Sequence, residues 1–284
     1  MKISTADMGG KPSLIIGGTG KTGRRVAQRL TAKERPVRVG SRAGSPPFDW
    51  HDKNSWGPAL DGVRAAYITY YPDITVPGAV EAIETFIDIA LARRVQRLVL
   101  LSGRGEKEAQ HAEQVLIGSG ADWTVVRASW FMQNFSENFF VDSIQAGEVL
   151  FPADKVTEPF VDVDDIADVV TEALVGGDEH LGQIYEVTGP RLMTFHEAVT
   201  EIGHATERQI GYSPVSAEDF LATLRQQDVP ANYIALLEYL TCEVLDGRNE
   251  SLANGVQRAL GRPPRDFSDY ARDAAATGVW KGQM

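Results

Sequence analysis

Ser13-Leu14-Ile15-Ile16-Gly17-Gly18-Thr19-Gly20-Lys21-Thr22-Gly23 is the stretch that decides the fold. Leu14–Ile16 is a short apolar run of the kind that forms a buried strand, and a glycine cluster ends it. Residues 21–32 follow with Val26, Ala27 and Leu30 on one helical face. The glycines satisfy G-x-G-x-x-G at 18, 20 and 23, and G-x-x-G-x-x-G at 17, 20 and 23. Between a strand and a helix this spacing has a definite physical use. It permits a tight turn, lets backbone N–H groups approach a diphosphate, and allows the helix to pack close to the strand. Gly17, Gly18, Thr19, Gly20, Lys21, Thr22 and Gly23 therefore read as a dinucleotide cradle. A nucleoside-triphosphate loop is excluded, because it needs a glycine five residues before Gly20, where Ile15 stands.

Outward from this turn, strand and helix patterns alternate. Val37–Val39, Ala65–Thr69, Arg97–Leu101 and Trp123–Ala128 read as strands. Between them, Val80, Ile83, Ile87, Ala90 and Leu91 mark a helix over 78–92, and a second helix covers 106–117. Alternation of this kind requires crossovers and so a parallel sheet. The expected class is α/β: a Rossmann-type doubly wound parallel sheet with a smaller, mainly helical C-terminal portion. After about residue 130 the rhythm changes. A helix is expected over 131–146, a strand over Gln183–Thr188, and a helix over 194–204 opened by a capping box, Thr194-x-x-Glu197. Ser216-x-x-Asp219 opens another helix in the same way. The division expected is a flexible leader at 1–12, a cofactor-binding domain at 13–150, and a substrate-binding portion at 151–284 whose strands near 160 and 185 can return to the sheet.

The end of the second strand selects the dinucleotide. An acid there would bind the ribose 2′-hydroxyl of NAD. The sequence instead runs Val37-Arg38-Val39-Gly40-Ser41-Arg42. A surface arginine after a strand is common by itself. The missing acid tips the reading: Ser41 donates a hydrogen bond and Arg42 forks onto a 2′-phosphate, so NADP(H) is expected.

Composition narrows the partners. The 284 residues carry a formal net charge of −11, without a basic stripe to displace counterions from phosphates, so nucleic acid is not expected. One cysteine excludes an intramolecular disulfide. Five histidines at 51, 111, 180, 196 and 204 show no metal-ligand spacing, and no metal is expected. Asp162, Asp164, Asp165 and Asp168 fit N-cap and first-turn acids better than a cation site. No apolar run approaches the roughly 20 residues of a membrane span. The expectation is a cytoplasmic protein acting on a small molecule, with a homodimer left open.

Further blocks carry a family resemblance. Val99-Leu-Leu-Ser102, Asp122-Trp-Thr-Val-Val-Arg127-Ala-Ser-Trp130-Phe131-Met132-Gln-Asn134-Phe135, Phe48-Asp49-Trp50, Pro159-Phe-Val-Asp162 and Gly261-Arg-Pro-Pro-Arg-Asp-Phe267 join the glycine turn. Together they resemble the NmrA-like atypical short-chain dehydrogenases/reductases, nearest the festuclavine synthase and agroclavine dehydrogenase branch and its bacterial relatives. The resemblance implies a nicotinamide cofactor and a cleft between the sheet and C-terminal helices. It implies Asp49 and Trp50 near the adenine, Tyr70, Tyr71 and Pro72 on the nicotinamide side, and Ser102 where ordinary members hold the serine that assists carbonyl reduction.

One departure shapes the chemistry. Ordinary short-chain reductases use Tyr-x-x-x-Lys, in which lysine lowers the tyrosine pKa and the phenol gives a proton to the forming alkoxide. No tyrosine here has that lysine; Gly105 and Ala109 align where the pair would stand. A ketone needs that proton, whereas an iminium ion is already cationic and a quinone gives a stabilised anion. The expected activity is therefore NADPH-dependent reduction of an imine, iminium, quinone or similar conjugated acceptor. Tyr70, Tyr71 and Ser102 are the catalytic candidates. Trp130, Phe131 and Asn134 are expected to line the substrate pocket, although aromatic residues at this spacing also suit a core. Cys242 is expected to be a buried thiol, and His111 a solvated helix residue. The competing reading is a non-catalytic NADP(H)-binding redox sensor of the NmrA type.

Overall fold

The computed structural model describes residues 10–137 and 139–282. Most of the expected leader, residues 1–9, lies outside them. The chain opens with strand β1 (Ser13–Ile16), helix α1 (Lys21–Ala32), β2 (Val37–Gly40), α2 (Trp56–Leu60), β3 (Ala65–Ile68) and α3 (Ala79–Ala92). It continues through β4 (Arg97–Gly103), α4 (Lys107–Gly118), β5 (Asp122–Ala128), α5 (Phe140–Ala146), β6 (Glu148–Phe151), β7 (Thr157–Glu158) and α6 (Val163–Val175). Then follow β8 (Gln183–Val187), β9 (Met193–Thr194), α7 (Phe195–Thr206), β10 (Gly211–Pro214), α8 (Ala217–Gln226), α9 (Ala231–Tyr239), α10 (Gly255–Leu260) and α11 (Phe267–Thr277). Among the described residues no helix is long and apolar enough to cross a membrane.

Two compact units emerge, and each is discontinuous in sequence. The first comprises the described residues up to Arg127 together with Asp164–Glu186 and Gly255–Gly261. Its six-stranded sheet has the order β2-β1-β3-β4-β5-β8. β1 runs parallel to both neighbours, with Ile15 opposite Val39 on one side and Tyr67 on the other. β3 runs parallel to β4. Every residue of β1 and β3 is buried. That explains why these strands read as unbroken apolar runs rather than alternating ones: helices cover both faces. From β1 the chain steps outward to β2, then crosses to the other side of β1 for β3. The strand order reverses there, and in open α/β sheets ligands bind at such a switch point.

The strand expected near 185 forms the sheet edge as β8, fastened where Gly182 N–H donates to Trp123 O (2.8 Å) and Thr124 Oγ1 donates to His180 O (2.7 Å). Asp164 and Asp168 have a clear task on α6. Arg25 bonds Asp164 at 3.2 Å, and Arg29 bonds Asp164 and Asp168 at 2.6 and 2.5 Å. Pairs this exposed contribute little singly, but the shared arginine makes them a network that ties α6 to α1.

The second unit comprises Ala128–Val163, Val187–Asn254 and the described residues from Arg262 onward. Its strands form two short pairs, β6 parallel to β10 and β7 antiparallel to β9. Phe135, Phe140, Phe151, Phe160, Phe195 and Phe267 make its core, each at most 2% exposed. The Thr194/Glu197 capping box forms as its spacing requires, with both reciprocal bonds in place.

The helix expected over 131–146 does not form as one piece. Phe131 instead makes a parallel bridge to Val161, and Met132 N–H donates to Val161 O at 2.9 Å. Backbone groups used in that bridge are lost to a helix. Only a single turn at Met132–Asn134 precedes α5. Cys242, expected to be buried, is exposed, on a π-helical turn at Leu240–Val244.

Candidate cofactor and catalytic site

The glycine turn is held by sterics that only glycine satisfies. Gly17 has φ of +64°, a region that disfavours other residues. A β-carbon there would stand 2.7 Å from Thr69 Oγ1, and one on Gly18 would stand 2.9 Å from Ile15 O. A β-carbon on Gly23 would overlap the Gly17 carbonyl. Gly20 N–H donates to Gly17 O at 2.8 Å and closes the turn. Gly20 is then the N-cap of α1, with no capping side chain and no acid in the first turn. Thr19 and Gly20 are exposed at the tip, Lys21 is half-buried, and Thr22 is buried on the inner face of α1. Backbone donors at an uncapped helix start, reached across a surface kept bare of side chains, fit a diphosphate.

Beyond β2, Ser41 O accepts from Gly44 and Phe48 N–H, each at 2.9 Å, which turns the chain and leaves the Arg42 side chain exposed. Asp49 bends its carboxylate onto its own loop, where Oδ1 accepts from His51 N–H at 3.0 Å. Trp50 is tied to the loop after β3. Its Nε1 donates to Thr69 O at 2.9 Å, and its ring lies 4.9 Å from that of Tyr70. Trp50 and Tyr70 therefore come together at the switch point beside Gly17. Tyr71 is 63% exposed. Tyr70 is half-buried, and burial, assisted by Glu81, pushes its phenol above the ordinary value. A lysine-paired tyrosine is shifted the opposite way.

Ser102, near the end of β4, lies in a buried network. Its Oγ donates to Glu113 Oε1 at 2.5 Å. Glu113 projects from α4 and is completely buried. Arg127, near the end of β5, grips the same carboxylate through Nε at 2.9 Å and through a terminal nitrogen at 2.5 Å. The other terminal nitrogen of Arg127 lies 3.5 Å from Glu186 on β8, which Arg104 holds at 2.5 Å. The bond to Glu113 raises the pKa of Arg127, against the lowering caused by burial. Charges alternate along the chain Arg104–Glu186–Arg127–Glu113, and Ser102 closes it. Ser102 drew attention in the sequence, but its partners did not. The one available signal was a lone acid among Ala109, Ala112 and Leu116 on the apolar face of α4.

Trp130, Phe131 and Asn134 lie in the second unit. The Trp130 ring packs edge-on against Phe195 (5.4 Å) and Phe151 (6.1 Å). Its Nε1 is buried without a partner among the described residues. Phe131 and Asn134 are half-buried at the Val161 bridge and in the turn that follows it. Among the described residues no group of three or more His, Cys, Asp or Glu could hold a metal ion.

With this geometry in view, comparison with known proteins is informative. No protein-family model matches the chain. Agroclavine dehydrogenase of Claviceps fusiformis is 29% identical over 278 residues, covering 92% of this chain and 96% of that protein. The chain is thus similar to a clavine dehydrogenase along nearly its whole length. A Bacillus subtilis protein, the uncharacterized oxidoreductase YesF, is also 29% identical, over 95% of this chain and 98% of its own length. Among solved structures, the NADPH-dependent quinone oxidoreductase QOR2 of Escherichia coli, determined with NADPH, superposes with a TM-score of 0.77 at 20% identity. That match covers 92% of this chain and 99% of the other, and at such identity it establishes the shared Rossmann-like fold.

Proposed function

We propose that this chain is an NADPH-dependent reductase of an imine, iminium, quinone or similar conjugated small-molecule acceptor. The coarse class, an oxidoreductase of the NAD(P)H-binding type, rests on homologues that span nearly the whole chain. The finer reading is supported above all by the sequence, in which a glycine turn fit for a dinucleotide occurs without any Tyr-x-x-x-Lys pair to protonate a forming alkoxide. Ala109 is fully buried on α4, where a relay lysine would stand. Tyr70 has its phenol shifted away from acidity, and the proton of Ser102 is engaged by Glu113.

The bound dinucleotide would supply the hydride. The protein's own contribution is to hold, orient and exclude water. Backbone N–H groups at Gly18, Thr19 and Lys21 would receive the diphosphate, Ser41 and Arg42 the 2′-phosphate, and Trp50 the adenosine end. Tyr70 and Tyr71 would wall the reacting end. Reduction of an iminium carbon leaves a neutral amine and needs no acid in that step, so the absent relay costs nothing there.

The experiment is to follow NADPH consumption by purified protein against plain ketones, cyclic iminium ions and quinones. Turnover of the charged or conjugated acceptors with ketones idle supports the reading. Brisk ketone reduction alone overturns it. Tight NADPH binding with no acceptor reduced would favour the sensor instead.

A further inference from the structure

We infer that Glu113 fixes the Ser102 hydroxyl as a hydrogen-bond acceptor, so that the site selects an acceptor carrying an N–H group, such as a protonated imine, over a carbonyl of the same shape. The inference rests on the reductase reading above and names the substrate class of that same site.

A serine hydroxyl has one proton and two lone pairs. In Ser102 the proton points at Glu113 Oε1, 2.5 Å away. That carboxylate cannot easily release it. Glu113 is wholly buried, and Arg127 grips it at two points. Arg127 is in turn anchored by Glu186, and Glu186 by Arg104. To turn its proton toward a ligand, Ser102 would have to strip a partner from a buried charge, the most unfavourable exchange a hydrogen-bond network offers. The lone pairs are another matter. Among the described residues, no N–H or O–H group donates to Ser102 Oγ, so its capacity as an acceptor is unused.

Position gives this polarity its meaning. Ser102, Arg127 and Glu186 are each the penultimate residue of their strands, β4, β5 and β8. The network therefore runs along the carboxyl edge of the sheet, the edge on which ligands bind in this architecture. Glu113 is one helical turn after Ala109, on the same buried face of α4. A carboxylate thus rises from the face where a relay lysine would rise, and it reverses what the neighbouring serine can offer. A carbonyl oxygen meets lone pairs and is repelled. A C=N–H⁺ group meets an acceptor and is held. Glu113 and Arg127 act through Ser102 as positioning residues; the contact with substrate is the serine's.

The test compares two iminium ions that differ only at nitrogen: 3,4-dihydroisoquinolinium, which carries N–H, and its N-methyl analogue, which does not. For the wild-type protein with NADPH, kcat/KM should favour the N–H compound about tenfold, the worth of one such bond. Ser102→Ala leaves the Glu113–Arg127 pair intact and should bring the ratio close to one. A purely steric preference would survive that change. Glu113→Gln frees the serine proton and should shrink the same ratio, with thermal melting confirming a folded variant. Calorimetry supplies a readout independent of turnover: tetrahydroisoquinolinium should bind more tightly than its N,N-dimethyl counterpart, and Ser102→Ala should remove the difference. A wild-type ratio near one, or a ratio unchanged in Ser102→Ala, overturns the inference and leaves the reductase reading standing. If NADPH is consumed with neither compound nor with quinones, the reductase reading falls, and the calorimetric difference alone decides the polarity of Ser102.

Discussion

Gly23 packs so closely against Gly17 that a β-carbon on the first would overlap the carbonyl oxygen of the second. The contact sets the distance between α1 and the end of β1, and with it the aim of the first free N–H groups of the helix. Gly23→Ala must either push the helix outward or tilt the turn. Overpacking of this kind costs about 1–3 kcal/mol. The variant should melt earlier than wild type and bind NADPH at least tenfold more weakly. Dinucleotide fluorescence titration beside a thermal melt checks both, and unchanged affinity would show that the turn does not hold the diphosphate.

Arg42 makes a second, separable claim. Its side chain is exposed just after β2, while the Asp49 carboxylate is folded onto the N–H of His51. If Arg42 binds the 2′-phosphate, Arg42→Ala should weaken NADPH by about 1.5–3 kcal/mol, the range for a charge-assisted bond. NADH has no 2′-phosphate and should lose almost nothing. Parallel titrations with the two dinucleotides measure the difference. Equal losses would mean that the arginine acts on fold stability and not on cofactor choice.

How much of this was open to inspection in the sequence depends on the range of the interaction. The turn at 17–23 was legible because its whole geometry is local: a strand, four glycines and a helix start fall within eleven residues. The parallel sheet was legible through Leu14–Ile16 and Arg97–Leu101, since apolar strands covered on both faces leave an unbroken pattern. The capping box at Thr194 and Glu197 was legible for the same local reason. Residues 131–146 were misjudged because Phe131 pairs with Val161, a partner thirty positions away that periodicity does not reveal. Ser102, Glu113 and Arg127 lie 11 and 14 residues apart in the chain, and only the packing of α4 on the sheet brings them into one network.

Cys242 illustrates a different error. Cys242, expected to be buried, lies on a π-helical turn and is exposed to solvent. A helix widened by one residue per turn shifts every following side chain relative to an α-helical count. Native protein should therefore react with about one equivalent of a thiol reagent without denaturant, and the reactivity should vanish in Cys242→Ser. Labelling that appears only after unfolding would contradict the exposure.

Arg191 and Asp266 carry the clearest pH-dependent contribution in the second unit. Two nitrogens of Arg191 reach the two carboxylate oxygens of Asp266 at 2.8 and 3.0 Å, and Arg191 also bonds Glu201 at 2.6 Å. Asp266 is at the same time the N-cap of α11, accepting from Ser268 N–H at 2.9 Å. The hydrogen bonds from Arg191 dominate, and they hold the Asp266 carboxyl well below its ordinary value. Its folded pKa is therefore lower than its unfolded one, near 3.9. The pair stabilises the fold at all pH values above that unfolded figure, and the contribution is lost as acid protonates the carboxylate on the way down to the folded value. Asp266→Asn keeps a good capping side chain and removes only the charge. Because both partners are partly exposed, at 40% and 30%, the loss should be about 1–2 kcal/mol at neutral pH. Urea unfolding of wild type and variant from pH 7 to pH 3 gives the decisive curve. The gap should stay constant down to about pH 5 and narrow below about pH 4, whereas a gap that persists unchanged in acid would assign the stabilisation to packing around α11 rather than to the ion pair.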